Sequence, residues 1–102
     1  MKYHKIKPIS KAFKIASKRA LSLSGITRDE LMNSRDRRHV MWRQALYYML
    51  REQGYTYAVI GHAFKRDHST IQHACKKFAG RLDVDNEIEK LYTDLTDGSS
   101  NY

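Results

Sequence analysis

Apolar residues recur at helical spacing along most of the chain, and the clearest repeat lies near its middle. Five of them follow the i, i+3, i+4, i+7, i+8 pattern that places side chains on one face of a helix. They are Trp42, Ala45, Leu46, Met49 and Leu50. The pattern predicts a long helix from about residue 37 to residue 53, ended by Gly54.

Two shorter helices are predicted before this one. The segment 10–23 carries apolar residues at approximate helical spacing, and Gly25 follows as a C-terminal stop. The apolar residues are Phe13, Ile15, Ala16, Ala20 and Leu21. Thr27 and Glu30 then form a capping box, in which each side chain satisfies an exposed amide at a helix start. A short helix through Met32 follows from it.

Residues 33–39 are polar and strongly basic and show no apolar periodicity. They predict a loop that leads into the long helix.

The second half of the chain predicts two short helices joined by a tight turn, and then a last helix. Ile60 and Phe64 mark the first of them, over residues 56–64. The second, over residues 69–79, carries Ile71, Ala74, Cys75 and Phe78 and is closed by Gly80. An acidic segment from Val84 to Leu95 has the seam of a packed helix; its apolar residues are Val84, Ile88, Leu91, Tyr92 and Leu95.

These elements predict an all-α fold, a compact bundle of about six helices. The 102 residues suffice for one domain with one core. We expect a basic N-terminal tail over 1–9, the folded domain over 10–97 and a disordered tail over 98–102. The single cysteine, Cys75, excludes an internal disulfide and is interpreted as a core residue.

Charge is distributed unevenly along the chain. Residues 1–82 contain 18 Lys and Arg against 5 Asp and Glu, whereas residues 83–102 contain 1 against 6. The basic part is expected to attract a polyanion. Nucleic acid fits better than a membrane surface, because no segment pairs a free apolar face with a lysine-rich face. The chain also contains neither an apolar run of membrane-spanning length nor a signal peptide, which predicts a cytoplasmic, nucleoid-associated protein.

Residues 56–79 have the parts of a helix-turn-helix: a scaffold helix, a tight turn, and a second helix with an apolar back and a polar front. Gly61 permits close approach of the two helices, and Asp67 or Ser69 can cap the second. The side chains expected to face outward are Asp67, His68, Ser69, Thr70, His73, Lys76 and Lys77.

The sequence gives less support to other kinds of functional site. His68 and His73 are five residues apart and therefore do not share a helix face, so no metal site and no cofactor are expected. No nucleophile stands in a catalytic pattern beside Asp67 and His68, so we expect no enzyme activity. The tyrosines at 47, 48, 55 and 57 could stack on single-stranded bases, but aromatic residues at a helix junction are more often core.

The run from Ile60 to Lys77, with its core Arg66-Asp67-His68-Ser69-Thr70 followed by His-Ala, resembles the C-terminal DNA-binding domain of the bacterial replication initiator DnaA. The segment 29–35 is similar to that family's acidic-leucine segment and basic loop, and Arg43-Gln44 matches an Arg-Gln pair on its long helix. The resemblance covers roughly residues 10–95 and implies a Trp-repressor-like helix-turn-helix fold.

The resemblance also implies a role for individual residues. Arg35, on the basic loop, would enter the minor groove beside the major-groove site, with Arg37 or Arg38 sharing or replacing it. The base-reading residues would be Asp67, His68, Ser69 and Thr70. The phosphate contacts would be Arg43, Gln44, Lys65, Arg66, His73, Lys76 and Lys77.

Three departures from the family pattern change what is expected. Lys65 alone stands where the family has two glycines, so the turn is shorter, and Ser69 replaces a threonine that could meet a thymine methyl. No Gly-x-x-x-x-Gly-Lys-Ser/Thr phosphate loop occurs in the 102 residues, which predicts a DNA-reading domain without an ATPase.

Three functions stay open at this point. The first is sequence-specific binding of double-stranded DNA, by a monomer, in replication initiation or its regulation. The second is transcriptional regulation with the same module. The third is an adaptor whose basic face binds an acidic protein. None of them involves a membrane or a small-molecule substrate.

Overall fold

The structure, a computed structural model, describes residues 8–100, with side chains through residue 97. It contains six helices in this part of the chain and no strand. They are α1 (Ile9–Ser24), α2 (Arg28–Asn33), α3 (Arg37–Glu52), α4 (Tyr57–Phe64), α5 (His68–Leu82) and α6 (Asn86–Ser100). The predicted all-α bundle of about six helices is confirmed.

The helix ends follow local chemistry. Gly25 closes α1 in the left-handed conformation, with φ of 74°, as its position after the last apolar residue indicated. The predicted capping box opens α2: the Thr27 hydroxyl accepts from the amide of Glu30, and the Glu30 carboxylate accepts from the amide of Thr27. Thr56 caps α4 in the same sense, through the amide of Val59.

Helix α3 is the centre of the bundle and packs against α1, α2, α4 and α5. All five residues of its predicted face are buried, and Ala45, Leu46 and Leu50 are fully so. The core continues through the predicted residues of the second half, Ile60, Phe64, Ile71, Cys75 and Phe78. Helix α6 closes the bundle with Ile88 and Leu95 against α1 and α5.

Several predicted boundaries were wrong. The basic loop spans only residues 34–36, because Asp36 caps α3 and places Arg37 in its first turn. Helix α5 continues through Gly80 to Leu82, because Phe78 and Leu82 pack on the core on either side of it. Gly80 keeps a helical backbone, at a cost of about 1 kcal/mol relative to alanine. Helix α6 begins at Asn86, because the Asp85 carboxylate accepts from the amides of Glu87 and Ile88.

Two residues of the predicted apolar seams lie outside the core. Val84 is 82% exposed, ahead of α6, and Ile15 is 47% exposed on the outer side of α1. The assignment of α6 extends to Ser100, past the predicted domain end at residue 97. Most of the predicted N-terminal tail, residues 1–7, and the last two residues of the predicted C-terminal tail lie outside the described residues.

Among residues 8–100, no helix is both long and apolar enough to cross a membrane.

Candidate nucleic-acid interface

Helices α4 and α5 form the predicted helix-turn-helix, and Gly61 allows their close approach. A Cβ atom at Gly61 would lie 2.5 Å from the carbonyl oxygen of Arg66, far inside van der Waals contact. The Gly61 carbonyl also accepts a 2.8 Å hydrogen bond from the Arg66 amide. Between them, Lys65 closes α4 in the left-handed conformation, with φ of 58° and ψ of 46°. The turn is therefore tight at Gly61 and strained at Lys65.

Asp67 is the residue that caps α5. Its carboxylate accepts from the amide of Ser69 at 3.2 Å and also from the Ser69 hydroxyl. The hydroxyl hydrogen bond, followed by the amide hydrogen bond, lowers the pKa of the Asp67 carboxyl. His68 lies beside it, with Nδ1 3.8 Å from the second carboxylate oxygen. Asp67 thus has a structural role at the helix start in addition to the base contact predicted for it.

The first turn of α5 is open to solvent. His68, Ser69 and Thr70 are all exposed, as groove contact requires. Further along the helix, His73, Lys76 and Lys77 are also exposed, while the opposite face is buried. The outward set predicted from the sequence is therefore brought to one side of α5.

Arg35 lies at the middle of the three-residue loop and is exposed. The Ser34 hydroxyl accepts from the amide of Asp36 at 3.0 Å, and the His39 ring lies 2.8 Å from the same hydroxyl. These contacts hold the loop in one shape. Arg37 and Arg38 are exposed too, but on the first turn of α3 rather than on the loop.

Arg43 does not lie where a phosphate contact should. The side chain is buried, with 7% of the residue exposed. Its Nε donates to the carbonyl oxygen of Leu31 at 2.6 Å, and Nη2 donates to that of Ser34 at 2.6 Å. Burial lowers the pKa of the guanidinium. Arg43 therefore holds the end of α2 and the basic loop against α3, a placement that does not support the predicted phosphate role.

Arg66 makes a second tie to the same segment. It is half-buried, and its Nη2 donates to the carbonyl oxygen of Met32 at 2.7 Å. This contact joins the turn of the helix-turn-helix to the end of α2. The other predicted phosphate residues are more open: Lys65 is exposed, and Gln44 is half-buried on α3.

The tyrosines mostly belong to the core. Tyr47 and Tyr55 are buried, and the Tyr47 ring meets Phe64 edge-on with a centroid distance of 4.6 Å. The interpretation as core is confirmed for these two residues. Cys75 is buried as well, and burial raises the pKa of its thiol to about 11. Within residues 8–97, no three metal-ligating side chains cluster.

Arg81 was not among the residues predicted for the interface. This arginine lies on α5 one turn after Lys77 and shares a cleft with it and with Arg37. The four-residue spacing from Lys77 puts both cations on one helix face, but Gly80 was expected to end the helix before Arg81.

Comparison with known proteins agrees with this arrangement. The sequence model of a family described as "Bacterial dnaA protein helix-turn-helix" matches residues 18–78, from the second half of α1 through Phe78 of α5. A search of curated proteins gave no match. The match covers more than half of the chain and includes both helices of the motif, the loop with Arg35 and the long central helix. The chain therefore belongs to the bacterial DnaA helix-turn-helix family, whose domains bind DNA.

Proposed function

We propose that this domain reads a specific sequence in double-stranded DNA, with the first turn of α5 in the major groove and Arg35 in the neighbouring minor groove. The observation that carries the proposal is that exposed polar side chains of α5 and of the basic loop lie on elements that hydrogen bonds connect to one another. His68, Ser69 and Thr70 occupy the open first turn of α5. Arg35 lies on a loop that Arg43 ties to α3, and Arg66 ties the end of α2, just before that loop, to the turn of the helix-turn-helix.

The chemistry of the first turn suits base reading. His68 can hydrogen-bond a purine edge, and the Thr70 methyl can contact a thymine methyl. The Ser69 hydroxyl is already bonded to the Asp67 carboxylate, which leaves its oxygen as an acceptor. Asp67 can accept from a cytosine amino group through its second oxygen. Arg35 reads groove width and negative potential, which favours A·T-rich flanks.

Phosphate contacts would fix the register on the duplex. Lys65, His73, Lys76 and Lys77 are exposed and suited to this role, with Gln44 at the edge of α3. Arg37 and Arg38 add positive charge next to the loop. Arg43 and Arg66 are assigned to positioning, since the hydrogen bonds described for them go to backbone carbonyls.

Within this proposal the protein acts by binding, as a monomer on the nucleoid, in replication initiation or its regulation. A helix-turn-helix transcriptional regulator would use the same surface and give the same binding results. Binding of an acidic protein is a weaker alternative, because the outward face of α5 pairs its lysines with short hydrogen-bonding side chains suited to base edges.

Selection of bound sites from random duplexes, followed by anisotropy titrations of the enriched site, tests the proposal. We expect an enriched motif, and we expect His68→Ala and Thr70→Ala each to lose about 1–3 kcal/mol on that motif with little change on random duplexes. Thr93→Ala, an exposed threonine on α6, is the matched control. No enriched motif, or equal losses on both duplexes, would contradict base reading.

A further inference from the structure

A basic cleft runs between α3 and the second half of α5. Its volume is about 450 Å³. It is lined by the apolar residues Val40 and Met41 and by four polar side chains, Arg37, Gln44, Lys77 and Arg81. Lys77 and Arg81 come from one face of α5, and Arg37 comes from the first turn of α3. Three cations from two helices therefore face one cleft.

The charge of this cleft differs from that of its surroundings. Its described lining residues include three cations and no carboxylate. A wider neighbouring cleft of about 640 Å³ shares Arg37 and Arg81 but adds Asp36, Asp85 and Glu87. The acidic side chains therefore line the neighbouring cleft and not the basic one. Binding of an anion is favoured in the basic cleft, between the three cations.

Arg81 has a partner that an anion can replace. Its Nη2 lies 4.0 Å from the Asp85 carboxylate, one helical turn further on, and both side chains are partly exposed. Such a long, solvent-accessible ion pair contributes little, so exchange of the carboxylate for a stronger anion is inexpensive. A phosphodiester can accept two hydrogen bonds from one guanidinium, which a 4.0 Å pair does not provide.

The position of the cleft identifies the anion, on the basis of the proposed function. One sugar-phosphate strand separates every minor groove from the adjacent major groove. If Arg35 enters the minor groove and the first turn of α5 enters the major groove, that strand crosses the side of the domain that carries α5 and the start of α3. Arg37 is two residues from Arg35, and the cleft lies between these elements.

We propose that this cleft is a phosphate clamp for the strand between the two grooves, in which Arg81 and Arg37 hold the backbone from opposite sides and Lys77 and Gln44 complete the contact. Arg81 is then a phosphate-contacting residue, and Arg37 acts on the backbone rather than in the minor groove. The clamp carries no sequence information of its own.

The test compares Arg81→Ala with Lys90→Ala, which removes the same charge from a lysine with a 79% exposed side chain on α6. Anisotropy titrations at several salt concentrations use the enriched duplex and a random duplex. For Arg81→Ala we expect about five- to tenfold weaker binding on both duplexes and a log affinity against log salt that is shallower by about one unit. Lys90→Ala should leave both quantities near wild type. Equal slopes for the two variants would overturn the clamp.

Two further measurements locate the contact. Replacement of single phosphates by uncharged methylphosphonates should reveal one or two linkages that weaken wild-type binding but cause no further loss in Arg81→Ala. Asp85→Asn, which keeps a good helix cap for α6 and frees Arg81, should tighten binding to both duplexes. The proposal would be contradicted if, at every linkage, the loss of affinity caused by the methylphosphonate added to the loss caused by Arg81→Ala. Failure of the wild type to bind any duplex would instead refute the proposed function, so the two failures are distinguishable.

Discussion

Arg66 Nη2 donates a 2.7 Å hydrogen bond to the carbonyl oxygen of Met32, 34 positions earlier in the chain. The contact joins the turn before the recognition helix to the end of α2. Met32 is three residues before Arg35, so their Cα atoms are at most about 11 Å apart. Arg35, the proposed minor-groove arginine, and the helix-turn-helix are therefore held in one connected part of the fold.

Arg43 provides the second connection in this part of the fold, and its removal should affect stability more than DNA contact. Arg43→Ala leaves the buried carbonyl of Leu31 without its donor, and we expect a loss of about 1.5–3 kcal/mol in the free energy of unfolding, measured by urea denaturation. Arg38→Ala removes the same charge from an exposed position on the same helix and should change stability by at most about 0.5 kcal/mol.

The salt dependence of DNA binding distinguishes a structural role of Arg43 from a phosphate contact. Under conditions where both variants are folded, Arg43→Ala should keep the wild-type slope of log affinity against log salt. A slope reduced by about one unit, without loss of stability, would restore the phosphate role that the sequence suggested for Arg43.

Glycine is required at position 61 but not at position 80. A methyl group at Gly61 meets the backbone oxygen of Arg66, so Gly61→Ala should destabilise the domain by about 1–3 kcal/mol. Gly80 is an exposed helical residue with nothing near its Cβ position, so Gly80→Ala should stabilise the domain by about 0.5–1 kcal/mol. Thermal melts of both variants check the pair, and a stable Gly61→Ala would show that the turn can open there without cost.

Lys65 carries the strain of the shortened turn. Glycine adopts its left-handed conformation freely, whereas alanine does not, so Lys65→Gly should be more stable than Lys65→Ala by about 0.5–1 kcal/mol. Both variants lose the same charge, so a phosphate contact by Lys65 should reduce the salt slope equally in each. A Lys65→Gly that is less stable than Lys65→Ala would show that unfolded-chain entropy outweighs the strain.

Because the Cys75 thiol is buried, we expect the domain to lose stability at alkaline pH. Burial raises the pKa of its thiol from 9.0 to about 11, so the neutral form is favoured in the folded state. This contribution is fully present below about pH 9 and is lost as the pH rises towards 11. In thermal melts from pH 7 to pH 11, the melting temperature of Cys75→Ala should decrease less than that of wild type. The half-buried Tyr92, with its pKa raised to about 12, accounts for part of the remaining decrease. Identical decreases would contradict the thiol's role.

Most of the fold could be predicted from the sequence because its signals are local. A face of regularly spaced apolar residues predicts α3, and a capping box predicts α2. Apolar spacing on both sides of a tight turn predicts the helix-turn-helix. Boundaries were wrong where two local signals competed. Gly80 looked like a stop, but continued packing through Phe78 and Leu82 keeps the helix intact.

The roles of the arginines could not be predicted in the same way. Arg43 and Arg66 resemble surface cations in sequence, but their carbonyl acceptors lie 9 to 34 positions away, which only the packed fold reveals. The cleft lined by Arg81 could not be predicted without the crossing of α3 and α5, because residues of both helices line it. Residue type and spacing thus predicted the exposed first turn of α5, but not the arginines that tie the neighbouring elements to one another.

The central claim is that one duplex contacts both the recognition helix and the basic loop, and Arg35→Ala tests it most directly. The measurement is affinity as a function of salt concentration on the enriched site with A·T-rich and G·C-rich flanks, with Lys90→Ala as the charge-matched control and circular dichroism to check the fold. We expect weaker binding at both sites, a slope shallower by about one unit and a reduced preference for A·T-rich flanks. A folded Arg35→Ala that keeps the wild-type affinity, slope and flank preference would contradict the claim and leave α5 to bind alone.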